Sequence, residues 1–116
     1  MPRLLVIDDD PAILLVFRRA FADSEVVLRT AATAREGLEA VAGHRPDVVL
    51  LDVQLPDTTG FEVAAELARS NGSGPQVVLV SSRDASDYGE QIASCGARGF
   101  VPKGELSGEA VRALLR

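Results

Sequence analysis

The sequence has little of what several common kinds of site require. It contains one cysteine, one histidine and no tryptophan. The single Cys95 cannot form an internal disulfide, which fits a reducing cytoplasm, where we expect the protein to reside. One histidine and one cysteine also argue against an ordinary zinc site, because such sites take most of their ligands from these two residue types. No apolar run approaches the roughly 18 residues of a membrane span, so we expect no membrane partner.

Positive charge is also limited. The chain has 12 Lys and Arg against 17 Asp and Glu, which gives a net charge of −5. Its basic residues are scattered, which disfavours direct nucleic-acid binding by this domain. With 116 residues, 47% of them hydrophobic, the chain can form one core, so we predict a single domain over residues 1–116.

Four short apolar runs each end on a residue that phosphoryl chemistry can use. Residues 4–7 end on Asp8 and Asp9, 48–51 on Asp52, 77–80 on Ser81, and 100–102 on Lys103. Such runs are typical of strands that are buried on both faces of a parallel sheet. Because ligands bind at the carboxyl ends of parallel strands, we expect these side chains to meet at one edge of the sheet.

The whole chain alternates between strand and helix patterns. We predict strands at about residues 3–7, 25–28 or slightly beyond, 47–51, 76–80 and 98–101. Helices are predicted after the caps Asp10, Thr33 and Ser107, and over about 59–70 and 86–94. Five strands that alternate with five helices predict a doubly wound α/β fold with a single five-stranded parallel sheet.

Three carboxylates at one edge of a sheet would repel one another. At about 4 Å and an effective dielectric constant near 20, each pair costs roughly 4 kcal/mol. A hard divalent cation such as Mg²⁺ would relieve this repulsion and leave positions open for a phosphoryl group. A carboxylate can also act as the nucleophile, with Lys103 balancing charge and Ser81 donating a hydrogen bond.

Each of these residues also has a simpler explanation. Asp10 is best explained as a helix cap, since Pro11 follows it. Asp8 or Asp9 alone fits a polar loop, and Asp52 alone fits the start of a turn. Ser81 and Lys103, taken singly, are better explained as ordinary loop and surface residues. Coincidence at all four strand ends is hard to sustain.

At these positions the chain resembles the receiver domain of two-component response regulators over essentially its whole length. The matching segments are Val6-Ile7-Asp8-Asp9-Asp10, Asp52-Val53-Gln54-Leu55-Pro56 with Gly60 following, Ser81, and Gly99-Phe100-Val101-Pro102-Lys103. Their order, spacing and total length all agree. The resemblance implies a flavodoxin-like strand order of 2-1-3-4-5.

The resemblance also implies a role for each site residue. Asp52 would accept the phosphoryl group from a sensor histidine kinase or a small acyl phosphate. Asp9 would bind Mg²⁺ directly, Asp8 through water, and Gln54 through its backbone carbonyl. The domain would thus catalyse its own phosphorylation and dephosphorylation and no other reaction.

The same resemblance implies how the signal leaves the site. Ser81 would move toward the phosphoryl group, and Phe100 would change rotamer to fill the released space. Taken alone, Phe100 is better explained as a core aromatic residue. The output surface would be the fourth helix, fifth strand and last helix, which would contact an effector domain, a partner protein or a second copy of the chain.

The sequence departs from the family pattern after Lys103, where many receivers have proline and this chain has Gly104. We therefore expect no cis peptide bond there. Gln54 and Arg83 lie at positions that flank the phosphoryl group in the family and influence attack by water. We expect their replacement to change the lifetime of the aspartyl-phosphate more than the rate at which it forms.

Two other kinds of protein fit parts of the sequence. Asp8-x-Asp10 after a strand fits a small phosphatase with Asp8 as its nucleophile, although such enzymes usually need a longer chain. A receiver fold that is never phosphorylated and serves only as an interaction module is the second alternative. The complete acidic set together with Ser81 and Lys103 argues against this second alternative.

Overall fold

The sheet at the centre of the fold is built from the apolar runs of the sequence. A computed structural model describes residues 2–69 and 74–115 of the chain. The five strands are β1 (Arg3–Ile7), β2 (Val27–Ala31), β3 (Val48–Asp52), β4 (Gln76–Ser81) and β5 (Gly99–Pro102). All neighbouring strands pair in parallel, in the order β2-β1-β3-β4-β5. This confirms the predicted fold class and strand order.

Four helices connect consecutive strands, and a fifth follows β5. They are α1 (Pro11–Ala20), α2 (Ala34–His44), α3 (Gly60–Ala68), α4 (Gln91–Ser94) and α5 (Gly108–Leu114), with short 3-10 turns at Ala85–Asp87 and Lys103–Glu105. The predicted caps Asp10, Thr33 and Ser107 each accept a hydrogen bond from the first turn of their helix. Among the described residues, no helix has both the length and the hydrophobicity that a membrane crossing requires.

Alternate side chains of the central strands enter two separate cores. Leu5 and Ile7 of β1 belong to the core that α2, α3 and α4 cover. Leu4 and Val6 belong to the core beneath α1 and α5, where Phe17 is buried. Because both faces of β1 are covered, its apolar run is continuous rather than alternating. The carboxyl ends of the strands are therefore the place where polar groups collect.

Strand β2 lies further along the chain than predicted. It runs from Val27 to Ala31, whereas the sequence pattern indicated about 25–28 or slightly beyond. The prediction ended early because Arg29 and Thr30 interrupt the apolar run. A strand at the sheet edge tolerates such residues, since one side of it faces solvent and Arg29 is exposed.

The prediction of one continuous fourth helix over 86–94 was wrong. The segment forms a 3-10 turn at Ala85–Asp87 and then the short α4. Gly89 between them has a φ of +56°, a left-handed conformation that an α-helix cannot contain. The third helix ends at Ala68, with Arg69 as its C-cap, and the predicted end at Ser70 lies outside the described residues.

Gly60, the first residue of α3, lies directly against the end of β3. A Cβ atom there would be 2.4 Å from the backbone oxygen of Asp52 and 3.0 Å from Cα of Val53. Because backbone atoms have little room to move, we expect Gly60→Ala to lower the free energy of unfolding by about 2 kcal/mol. Gly43→Ala is the matched control, since a Cβ at that helical position meets nothing within 4 Å. Urea denaturation of both variants checks this, and equal losses in the two would contradict it.

Candidate functional site

Residues from four strand ends meet at one edge of the sheet. Asp8 follows β1, Asp52 ends β3, Ser81 ends β4 and Lys103 follows β5. Parallel pairing sets Asp52 beside β4 and Ser81 beside β5. Asp8, Asp52 and Ser81 are 0%, 6% and 3% exposed. Buried polar groups need hydrogen-bonding or charged partners, and these buried side chains lie next to one another.

Asp8, Asp9 and Asp52 form an acidic cluster. Each offers a carboxylate oxygen, and the three oxygens lie within 4.8 Å of one another. Oδ1 of Asp8 accepts a hydrogen bond from the N–H of Asp10 at 2.9 Å. Its Oδ2 is buried and receives no hydrogen bond of regular geometry from the described residues. Three clustered carboxylates fit Mg²⁺, which binds oxygen ligands.

The ammonium group of Lys103 contacts two of these carboxylates. Its Nζ lies 3.0 Å from Oδ2 of Asp8 and 3.3 Å from Oδ2 of Asp52. One ammonium against three ionised carboxylates leaves a formal excess of two negative charges. A single divalent cation carries the charge that would neutralise this excess.

Burial disfavours a negative charge on Asp52, and the carboxylate of Asp8 adds to this effect. Lys103 and the N–H of Gln54 act in the opposite direction, and the net result raises the pKa of Asp52 from 3.8 to about 6. Burial lowers the pKa of Lys103, but its contacts with the two carboxylates outweigh burial and raise that pKa above its ordinary value. A carboxylate with such a pKa is a candidate nucleophile near neutral pH.

The hydroxyl of Ser81 is held by a residue that the sequence analysis missed. Its Oγ lies 2.7 Å from the hydroxyl of Tyr88 and accepts a hydrogen bond from the N–H of Arg83 at 3.1 Å. Tyr88 is half-buried and is the only tyrosine of the chain. No local pattern in the sequence indicates this contact.

The other predicted site residues lie around this group. Gln54 and Arg83 are exposed, and the N–H of Gln54 donates to Oδ1 of Asp52 at 3.3 Å. Phe100 is half-buried on β5, and its ring lies 6.0 Å from that of Tyr88, measured between centroids. The peptide bond between Lys103 and Gly104 is trans.

Asp57 is a second residue that the sequence analysis missed. Its carboxylate accepts hydrogen bonds from the N–H groups of Ala34, at 2.9 Å, and Arg35, at 3.1 Å, at the start of α2. These bonds, the one from Ala34 above all, hold the pKa of Asp57 below its ordinary value. Asp57 thus ties the loop that follows Asp52 to α2. Nothing local in the sequence indicates this long-range contact.

Comparison with known sequences decides between the alternatives. Residues 4–115 match the profile of the response regulator receiver domain. The chain belongs to this family. The match confirms the resemblance seen in the sequence, and it disfavours both the phosphatase and the interaction module that is never phosphorylated.

This receiver domain is similar in sequence to several bacterial regulators. It is 36% identical to response regulator MprA of Mycolicibacterium vanbaalenii, over 98% of this chain and 50% of MprA. It is 40% identical to transcriptional regulatory protein KdpE of Mycobacterium tuberculosis, over 89% of this chain and 45% of KdpE. The chain therefore spans about half the length of these curated relatives. A solved structure of the chemotaxis response regulator CheY4 of Vibrio cholerae matches 99% of the chain, with 25% identity and a TM-score of 0.84.

Family membership carries some general properties. Receiver domains generally use Mg²⁺, and the acidic cluster of this chain fits that ion. They are not enzymes in the ordinary sense, and response regulators interact with histidine kinases and effector domains.

The raised pKa of Asp52 predicts an unusual pH dependence of stability. A carboxyl whose pKa rises from 3.8 when unfolded to about 6 when folded stabilises the fold below pH 3.8, and this contribution is lost as the pH rises through about 6. We expect Asp52→Asn to be more stable than wild type by about 1 kcal/mol near pH 8 without metal, a figure discounted for partial solvent screening. The difference should vanish near pH 4. Urea denaturation in a chelator checks this, and a variant less stable than wild type at pH 8 would contradict it.

Proposed function

We propose that this receiver domain accepts a phosphoryl group on Asp52 in a Mg²⁺-dependent reaction, with a sensor histidine kinase or a small acyl phosphate as donor. One observation carries the proposal. The nearly buried carboxylate of Asp52 lies within 4.8 Å of those of Asp8 and Asp9, and 3.3 Å from Nζ of Lys103. A purely structural aspartate would gain nothing from such like-charged neighbours, because their repulsion destabilises the fold.

In the proposed reaction a carboxylate oxygen of Asp52 attacks the phosphorus of the donor. A new oxygen–phosphorus bond forms while the bond between phosphorus and the leaving group breaks. The leaving group keeps the electron pair, so a phosphohistidine returns an imidazole and an acyl phosphate releases a carboxylate. Lys103 stabilises the negative charge on the phosphoryl oxygens, and the hydroxyl of Ser81 donates a hydrogen bond to one of them.

The acidic cluster would hold the magnesium ion. Asp9 and Asp52 would bind it directly, Asp8 through water, and Gln54 through its backbone carbonyl. Bound there, Mg²⁺ would offset the charge that the carboxylates and the phosphoryl group bring together. The closeness of the three carboxylate oxygens and the formal excess of two negative charges support this assignment.

Loss of the phosphoryl group by attack of water would be controlled at the rim of the site. The exposed side chains of Gln54 and Arg83 follow Asp52 and Ser81 by two residues each. We assign them to shielding or orienting the attacking water, so they would set the lifetime of the aspartyl-phosphate.

The signal would leave through the face formed by α4, β5 and α5. Strand β5 is an edge strand, and each of its residues is only half-buried. Ser81 and Phe100 would be the switch residues that link this face to Asp52. An effector domain or a partner protein would dock there, and a second copy of the chain is a further candidate for the same face.

Labelling with an acyl phosphate tests the proposal. We expect the intact mass to rise by one phosphoryl group in Mg²⁺ and to stay unchanged in a chelator. Asp9→Asn should raise the Mg²⁺ concentration for half-maximal labelling by at least about tenfold, because a ligand of the ion is lost. Asp10→Asn is the matched control, since asparagine caps α1 as well as aspartate does. Labelling without Mg²⁺, or equal losses in both variants, would contradict the proposal.

A further inference from the structure

The aromatic side chain that is hydrogen-bonded to Ser81 is Tyr88, whereas the resemblance assigns the switch to Phe100. The two hydroxyls lie 2.7 Å apart. Phe100 lies on β5, the strand next to the one that ends at Ser81, and its ring packs against the ring of Tyr88. A movement of the Ser81 hydroxyl would therefore act directly on Tyr88.

Tyr88 also anchors the chain that follows the site. Among residues 82–94, every residue except Tyr88 and Ile92 is exposed. The ring of Tyr88 packs edge-on against Phe61 of α3, at 5.3 Å between centroids, and against Phe100 at 6.0 Å. Since so little else attaches this segment to the core, a change at Tyr88 would affect the whole of it.

We propose that the hydrogen bond between Ser81 and Tyr88 is a latch that holds residues 82–94 in the unphosphorylated protein and opens when Asp52 is phosphorylated. This inference rests on the proposed function. Ser81 has one hydroxyl proton, and the latch assigns that proton to Tyr88 in the unphosphorylated protein, one of the two directions that the 2.7 Å contact allows. A charged phosphoryl oxygen competes for the same proton, and charge-assisted hydrogen bonds are about twice as strong as neutral ones. Phosphorylation therefore draws Ser81 away from Tyr88 and loosens residues 82–94.

The fluorescence of the protein reports this contact directly. Tyr88 is the only tyrosine and the chain has no tryptophan, so the signal comes from one residue. Beryllium fluoride with Mg²⁺, which mimics a phosphoryl group on a carboxylate, should change the emission of the wild type. The change should persist in Phe100→Leu, which retains both hydroxyls. It should be absent in Ser81→Ala, which has no latch to open.

Hydrogen exchange then tests the consequence for residues 82–94. In the wild type, beryllium fluoride should speed exchange of this segment. In Tyr88→Phe the segment should already exchange roughly fivefold faster without it, as expected for loss of one hydrogen bond, with no further increase on addition. Exchange in β1 and β3 should stay at the wild-type rate, which distinguishes an open latch from a general loss of stability.

Each outcome decides the matter. If beryllium fluoride still speeds hydrogen exchange of residues 82–94 in Tyr88→Phe, the latch is overturned. The same holds if the fluorescence change is lost in Phe100→Leu. Either result would make Phe100 the switch residue. Labelling of the wild type by an acyl phosphate is measured separately on the same protein. If the wild type takes no label, the proposed function fails and the latch fails with it. If it takes the label and the exchange pattern differs from the expected one, the latch alone fails.

Discussion

Asp52→Asn will take up no phosphoryl group from an acyl phosphate in Mg²⁺, whereas the wild type gains one. The reason is chemical, since an amide replaces the nucleophilic carboxylate while the shape of the side chain is retained. Intact mass spectrometry after equal incubation of the two proteins measures the difference. The effect should be complete, because every step of the proposed reaction passes through this carboxylate.

Two further variants make this result specific. Asp57→Asn is the matched control, because Asp57 is an exposed aspartate in the same loop and its amide could still accept a hydrogen bond from the start of α2. It should be labelled as the wild type is. Asp8→Asn addresses the phosphatase alternative, in which Asp8 is the nucleophile. Label that survives in Asp52→Asn and disappears in Asp8→Asn would establish that alternative.

Lys103→Met will slow labelling by roughly 10²- to 10³-fold, the effect typical of losing one group that stabilises a transition state. The ammonium lies 3.0 Å from Asp8 and 3.3 Å from Asp52, so its loss removes the cation nearest the developing charge. It also leaves two buried carboxylates facing each other, which should raise the pKa of Asp52 further and reduce its ionised fraction at neutral pH.

The time course of intact mass, at saturating Mg²⁺, gives the rate constants for Lys103→Met and the wild type. Lys103→Arg is the control, because it keeps the positive charge but changes its geometry. It should fall between the other two proteins. A wild-type rate in Lys103→Met would show that the lysine has no part in the reaction, whatever its contacts in the folded protein.

The main features of the site could be predicted because they follow from backbone topology. In a parallel sheet the carboxyl ends of the strands meet at one edge, so Asp8, Asp52, Ser81 and Lys103 had to converge once the strands were placed. Caps such as Asp10 were equally predictable, because the hydrogen bond that a cap makes spans only two or three residues.

The features that were missed depend on tertiary contacts or on the backbone conformation of single residues. The pairing of Ser81 with Tyr88 depends on how a half-buried ring packs between α3 and β5. The hydrogen bonds that the start of α2 donates to Asp57 join residues more than twenty positions apart in the sequence. The break at Gly89 was missed because glycine is tolerated in many helices, and its positive φ becomes visible only in the structure. Sequence periodicity carries none of this information.

The measurement that tests the central claim most directly locates the modified residue in the wild-type protein. After labelling with an acyl phosphate in Mg²⁺, borohydride reduces an aspartyl-phosphate to homoserine, and peptide mass spectrometry identifies the altered position. We predict homoserine at position 52, and none at any position when a chelator replaces Mg²⁺. Homoserine at Asp8 or Asp9, or at position 52 in the absence of Mg²⁺, would contradict the account of one metal-assisted acceptor at this edge of the sheet.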